Sequence, residues 1–170
     1  MTKPYRYIQY LQSYKVLWIF ILALIGVGIF AIESSRQASA LNIVNGSLPY
    51  ATAIALGEDH SCALTNTGGV KCWGGDYFGQ LGDGSTLSSL TPVDVNGLQT
   101  GVKAIDSSKA HTCALLNDNR VKCWGWNIDG QLGDGSLDQR NTPVSVAGLS
   151  GTITQLAVGH FHTCALNADG

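Results

Sequence analysis

The stretch "HSCALTNTGGVKCWGGDYFGQLGDGS" at residues 60–85 returns as "HTCALLNDNRVKCWGWNIDGQLGDGS" at 111–136, and "HTCAL" returns once more at 162–166. The period is fixed. His60, His111 and His162 stand 51 residues apart, as do Trp73 and Trp124, Gln80 and Gln131, and Pro92 and Pro143. Residues 60–110 and 111–161 align without a gap and share 23 identities in 51 positions. A chain with this internal repeat folds as tandem copies of one supersecondary unit, each burying a face that its neighbour supplies.

Within a repeat the turn chemistry marks off four short strands. In the second copy these are predicted over Val102–Ile105, His111–Leu116, Arg120–Trp124 and Pro143–Val146, where β-branched and aromatic residues gather between Gly, Asn and Asp. The 21 glycines and four tryptophans of the chain fit turn-rich β structure better than helices. Four strands in about 50 residues, repeated in tandem, describe a β-propeller blade. The fold class is therefore all-β: two complete four-stranded blades and part of a third over residues 51–170, in an open, incomplete ring.

The middle strands form a tight hairpin around Asn117-Asp118-Asn119, short polar side chains that tolerate turn geometry. A turn centred on Asp118, or on Thr67 in the first copy, sets Cys113 opposite Cys123 and Cys62 opposite Cys72. Directly opposed residues lie about 4.5 to 5.5 Å apart, within reach of a disulfide. The same arithmetic pairs Cys164 with position 174, four residues past Gly170, so Cys164 is expected to be unpaired by truncation of a longer propeller. An incomplete ring of this kind is expected to be marginal or self-associating. Metal ligation by His60 and Cys62, or by His160, His162 and Cys164, is the weaker reading, because the groups fall in separate blades without zinc-site spacing. Asn127, Asp129 and Asp134 suggest a calcium loop only faintly, since the closing Glu of an EF-hand is absent. No metal or cofactor is expected.

The pattern "HTCAL…VKCWG…GQLGDG…TPV.V.GL" resembles the regulator of chromosome condensation repeat family, and its cysteine-bearing form is similar to an exported bacterial branch. The resemblance runs from about residue 51 onward and implies a propeller, usually of seven blades. The founding member is a nuclear exchange factor for a small GTPase that binds chromatin. That activity is not carried over, because an exported chain meets neither partner.

Export is read from the N-terminus. Val16–Ile32 is an uncharged apolar run of 17 residues preceded by Lys3, Arg6 and Lys15, a membrane-insertion signal with a cytoplasmic basic flank. Its length suits both a signal anchor and a cleaved signal peptide, with Ala38-Ser39-Ala40 as the peptidase site. The predicted organisation is a leader over 1–40 with a hydrophobic helix at 16–32, a linker over 41–50 and the partial propeller over 51–170. The propeller is placed outside the membrane, secreted or tethered, where disulfides persist. From Leu41 onward six Lys and Arg face eleven Asp and Glu, and a surface of that sign repels phosphate backbones, so no nucleic-acid partner is expected.

Residues repeated in every copy serve the scaffold. His60 and His111 belong to this class, as do Gly79, Gln80, Leu81 and Gly82 with their copies at 130–133, which shape a turn and tie strand ends through side-chain hydrogen bonds. Function belongs to positions where the copies differ, "GDYF" at 75–78 against "WNID" at 126–129 and "TLSSL" at 86–90 against "LDQRN" at 137–141. Tyr77, Phe78 and Trp126 are the candidate partner contacts, with packing against a neighbouring blade as the alternative for each. No Ser/His/Asp set or phosphate-cradling loop is present in the sequence. The leading reading is an exported or membrane-tethered scaffold that binds a protein without catalysis. The alternatives are an inhibitor of a secreted hydrolase such as a β-lactamase, which the resemblance suggests, and a secreted enzyme with a site in a propeller channel.

Overall fold

The computed structural model describes residues 50–169. The apolar segment 16–32, the cleavage site at Ala40 and the linker up to residue 49 lie outside the described residues. Among the described residues ten strands run in chain order: β1 (Ala51–Leu56), β2 (His60–Thr65), β3 (Val70–Gly74), β4 (Ser89–Asp94), β5 (Val102–Ser108), β6 (His111–Leu116), β7 (Val121–Gly125), β8 (Arg140–Ser145), β9 (Ile153–Val158) and β10 (Thr163–Asn167). They make two four-stranded meanders, β1-β2-β3-β4 and β5-β6-β7-β8, and a two-stranded sheet of β9 and β10. All pairings are antiparallel. These are two whole blades and the first half of a third, an open arc as the repeat arithmetic required.

The strands expected in the second copy are all present, with shifted ends. β5 runs on to Ser108 because its main chain stays paired with β6, Asp106 with Cys113, Ser107 with Thr112 and Ser108 with His111; an Asp106 carboxylate oxygen also accepts from the Val158 amide (2.8 Å), and the Ser107 hydroxyl bonds that of Thr112 (2.9 Å). β8 begins at Arg140 and includes Pro143, a residue that an outer edge strand tolerates because no ladder needs its missing N–H. The hairpin turns lie where they were expected. Asn119 holds φ of 66° and Gly68, its counterpart one repeat earlier, 78°. Each turn sets the cysteines in register, Cys62 opposite Cys72 and Cys113 opposite Cys123, with Cα atoms 4.1 Å apart and both disulfides formed. That separation belongs to the close, non-hydrogen-bonded class of antiparallel pair.

The core sits between blades. One apolar cluster joins Leu64, Val70, Leu81, Val95 and Leu98 of the first blade to Val102, Ala114, Leu116 and Trp124 of the second. The other joins Leu115, Val121 and Leu132 of the second to Ile153 and Leu156 of the third. β6, "HTCALL", is buried at every position because its blade is covered on both faces. The same motif in β10 alternates between half-buried and exposed.

Candidate partner-binding face

The turn after the first strand of a blade and the loop after its third strand emerge at the same end of the meander. At that end the blades are tied together by the repeated residues. His60, at the start of β2, places Nε2 2.8 Å from the Thr112 hydroxyl of the next blade, and His111 repeats this with Thr163 at 3.0 Å. Burial pushes both imidazoles down to about 4, so they are neutral at physiological pH. The cysteines that metal binding would need in the first two blades are held in disulfides, and His60 is engaged by Thr112.

The turn at 79–82 works differently from the sequence expectation. The Gln80 side chain closes its own loop by accepting from the Phe78 amide (2.9 Å), while its main-chain oxygen accepts from Trp124 Nε1 of the next blade (2.9 Å). A Cβ on Gly82 would stand 2.7 Å from that indole nitrogen, so the residue must be glycine for the ring to seat. Asp76 and its counterpart Asn127 are both fully buried. The Asn127 amide donates to the Ser136 and Asp138 main-chain oxygens and its oxygen accepts from the Leu132 amide. Asp76 accepts from the Leu81 amide (2.8 Å), and burial raises its carboxyl to about 6. Asn127 and Asp134, two of the residues weighed as calcium ligands, are committed within their loop, Asp134 to Arg140 and Ser136.

Of the three aromatic residues singled out by sequence, two are brought together. Phe78 lies 5.5 Å from Trp126, centroid to centroid, and Trp126 lies 5.7 Å from Phe161 in an edge-on arrangement. The row crosses all three blades. Tyr77 is 73% exposed and stands outside it. Lys109, in the β5–β6 turn, reaches between the last two rings, with Nζ 4.7 Å from each centroid. Its backbone lies at φ of 36°, a left-handed conformation uncommon for a side chain of this kind, and its carbonyl accepts from the Glu58 amide of the preceding blade (2.9 Å). Trp126 is half-buried, Phe78 37% and Phe161 48% exposed, so the rings pack across blades, the alternative weighed for Phe78 and Trp126, and remain partly open to solvent. The Cys164 thiol is free and exposed.

Sequence reasoning did not single out Lys109 and Phe161, and weighed His160 only as a metal ligand. The signal was there in the repeat: "KA" at 109–110 is replaced by "HF" at 160–161, a divergence of the same kind as "GDYF" against "WNID".

The family model described as regulator of chromosome condensation (RCC1) repeat matches residues 67–115 and 118–166, more than half of the chain, and a second model of the same repeat matches 51–80 and 102–131. The chain belongs to the RCC1 repeat family. Among its relatives, the X-linked retinitis pigmentosa GTPase regulator homolog of Caenorhabditis elegans is 33% identical over 69% of this chain and 9% of its own length. The ultraviolet-B receptor UVR8 of Arabidopsis thaliana is 34% identical over 69% of this chain and 27% of its own. Yeast RCC1 (Prp20), solved bound to Kap60, superposes with a TM-score of 0.62 and 31% identity over 72% of this chain and 28% of its own. The chain thus spans under a third of the length of each of these relatives. As an RCC1-repeat arc it is a protein-interaction scaffold in architecture, and its two disulfides lie inside single blades.

Proposed function

We propose that the chain is an exported scaffold that binds a protein partner without catalysis, and that the row Phe78–Trp126–Phe161 is where the partner docks. The row carries the reading. Three aromatic rings from three blades stand in contact in a row at one end of the arc, built from positions where the repeats differ. Aromatic side chains that are half-seated and rigid give large contact area at low entropic cost, which is what interface anchors need. The same end of the blades carries the exposed carboxylates of Glu58, Asp59 and Asp129, so the favoured partner has an apolar centre and a basic rim. Among proteins of this family, yeast RCC1 (Prp20) has been solved bound to another protein, Kap60. Export is supported by the apolar run with its basic flank, and by cysteine pairs suited to an oxidising compartment.

Two measurements test the two halves of this reading. A reporter enzyme active only outside the cytoplasm, fused after Asn167, is expected to be active in a bacterial host and silent when 16–32 is deleted; activity without the segment contradicts export. For the docking face, a partner retained by the wild-type chain from an extracellular fraction is expected to bind Trp126→Ala about tenfold more weakly or worse. Equal retention by the two chains, with unchanged unfolding midpoints, moves the interface elsewhere.

A further inference from the structure

The loops after β3 and β7 are copies of one another that differ at their centre. In the second blade the Asn127 side chain fills that centre. Its Oδ1 accepts from the Leu132 amide (2.9 Å), and its Nδ2 lies within 3.5 Å of an Asp134 carboxylate oxygen, the Ser136 hydroxyl and the main-chain oxygens of Ser136 and Asp138. Arg140 completes the set, with Nε 2.9 Å from the other Asp134 oxygen. A nest of oxygens is thus matched by one amide and one guanidinium.

In the first blade Asp76, Asp83, Ser85, Leu87 and Ser89 stand at the positions of Asn127, Asp134, Ser136, Asp138 and Arg140. The frame of the loop is unchanged. Asp76 Oδ1 accepts from the Leu81 amide (2.8 Å), Asp83 Oδ1 from the Ser85 amide (2.8 Å) and the Ser85 hydroxyl from the Leu87 amide (3.1 Å), each bond matching one in the second blade. Asp76 Oδ2 therefore stands where the second blade puts the donor nitrogen of Asn127. The guanidinium is lost as well, replaced by the short hydroxyl of Ser89, which donates to the Thr91 main-chain oxygen (2.7 Å). Asp76 is fully buried, and the one hydrogen bond to its Oδ2 comes from the Ser85 hydroxyl at 3.3 Å. Neither Asp76 nor Asp83 has a Lys, Arg or His partner among the described residues. A buried carboxylate without a counter-charge is costly, and the second blade shows what the position takes: a positively polarised group.

We propose that this loop of the first blade is a calcium site, built from Asp76 Oδ2, an Asp83 carboxylate oxygen, the Ser85 hydroxyl and the main-chain oxygens of Ser85 and Leu87. Oxygen ligands with two negative charges and no nitrogen or sulfur suit a hard divalent cation, and water completes a shell of about six to eight. Irregular coordination favours calcium over magnesium, which demands a near-ideal octahedron. Asp83 and Ser85 are half-buried and Leu87 is exposed, so the ion enters from solvent. The residues weighed as calcium ligands in the sequence, Asn127, Asp129 and Asp134, lie in the copy where an amide and a guanidinium take the place of the ion. The ion braces the turn that carries Phe78, which the Gly79 amide closes by donating to Asp76 O (3.1 Å).

The test uses the full chain in lipid nanodiscs, with unfolding midpoints followed by circular dichroism at neutral to mildly alkaline pH. Calcium chloride at about 10 mM is compared with chelator and with magnesium chloride at the same ionic strength. Calcium is expected to raise the midpoint by about 4 °C or more, and magnesium by clearly less. Asp76→Asn, which sets a donor amide in the position of the ion, is expected to melt above the wild-type chain in chelator and to lose the calcium response. Asp83→Asn, at a half-buried position, is expected to lose most of the response, and it keeps the test open if the buried substitution alters folding. A wild-type response to calcium no larger than that to magnesium would overturn the proposal. So would a calcium shift in both variants as large as in the wild-type chain.

Discussion

Trp124 Nε1 donates to the main-chain oxygen of Gln80, 2.9 Å away and 44 residues earlier in the chain, and this bond locks the second blade onto the first. The indole is fully buried between the blades, so it contributes both apolar area and the only polar anchor of the ring.

Trp124→Ala is therefore expected to cost about 3 to 5 kcal/mol in a denaturant titration, the range for emptying a buried aromatic site. Trp124→Phe should cost about 1 to 3 kcal/mol by leaving Gln80 O without a donor. Trp73→Ala, at the half-exposed counterpart, should cost clearly less than Trp124→Ala. Equal losses at positions 73 and 124 would show that the inter-blade seat is not what makes Trp124 matter.

Each disulfide closes a loop with a sequence separation of 10. Replacing both members of one pair by serine is expected to lower stability by about 2 to 3 kcal/mol through release of that short loop. Peptide mapping of the oxidised chain should find Cys62–Cys72 and Cys113–Cys123 with Cys164 free. A bond from Cys164 to any of the four would contradict the register.

Stability should fall on mild acidification. His60 and His111 have imidazoles depressed from 6.5 to about 4, so the unfolded chain binds their protons first as pH falls, and stability present above 6.5 is lost progressively down to about 4. Asp76 works in the opposite sense: its carboxyl is raised from 3.8 to about 6, which favours the fold at low pH and weakens it as pH rises through that window. Two imidazoles oppose one carboxyl, and the net slope between 4 and 6.5 is expected to be positive. His111→Gln should flatten it; a midpoint independent of pH in both chains would refute the assignment.

Asp76→Asn should stabilise the first blade above pH 6. The second blade already uses Asn127 at this position, with its amide donating to two main-chain oxygens of the loop. The substitution removes a buried charge at neutral pH, and the gain should vanish below about pH 4, where Asp76 is protonated. Thermal melts at pH 4 and pH 8 distinguish the two regimes.

The sequence by itself determined the frame of a blade. The 51-residue period, the four-strand parse and the opposed cysteines follow from turn residues and alternation, because strands ten residues apart across a tight turn have little choice of register. Strand ends were less legible: β5 keeps its ladder with β6 through Ser108, over Asp106, Ser107 and Ser108, residues without the β-branched or aromatic side chains that mark a strand. The tertiary structure alone decided how blade faces meet. The bonds from His60 to Thr112 and from Trp124 to Gln80 join residues 52 and 44 positions apart, and their partners follow from the rotation between blades, which periodicity does not encode. The aromatic row has the same origin. Phe78 and Trp126 differ between copies and could be singled out, but only the stacking of three blades sets Trp126 between Phe78 and Phe161 and brings Lys109 over the last two rings.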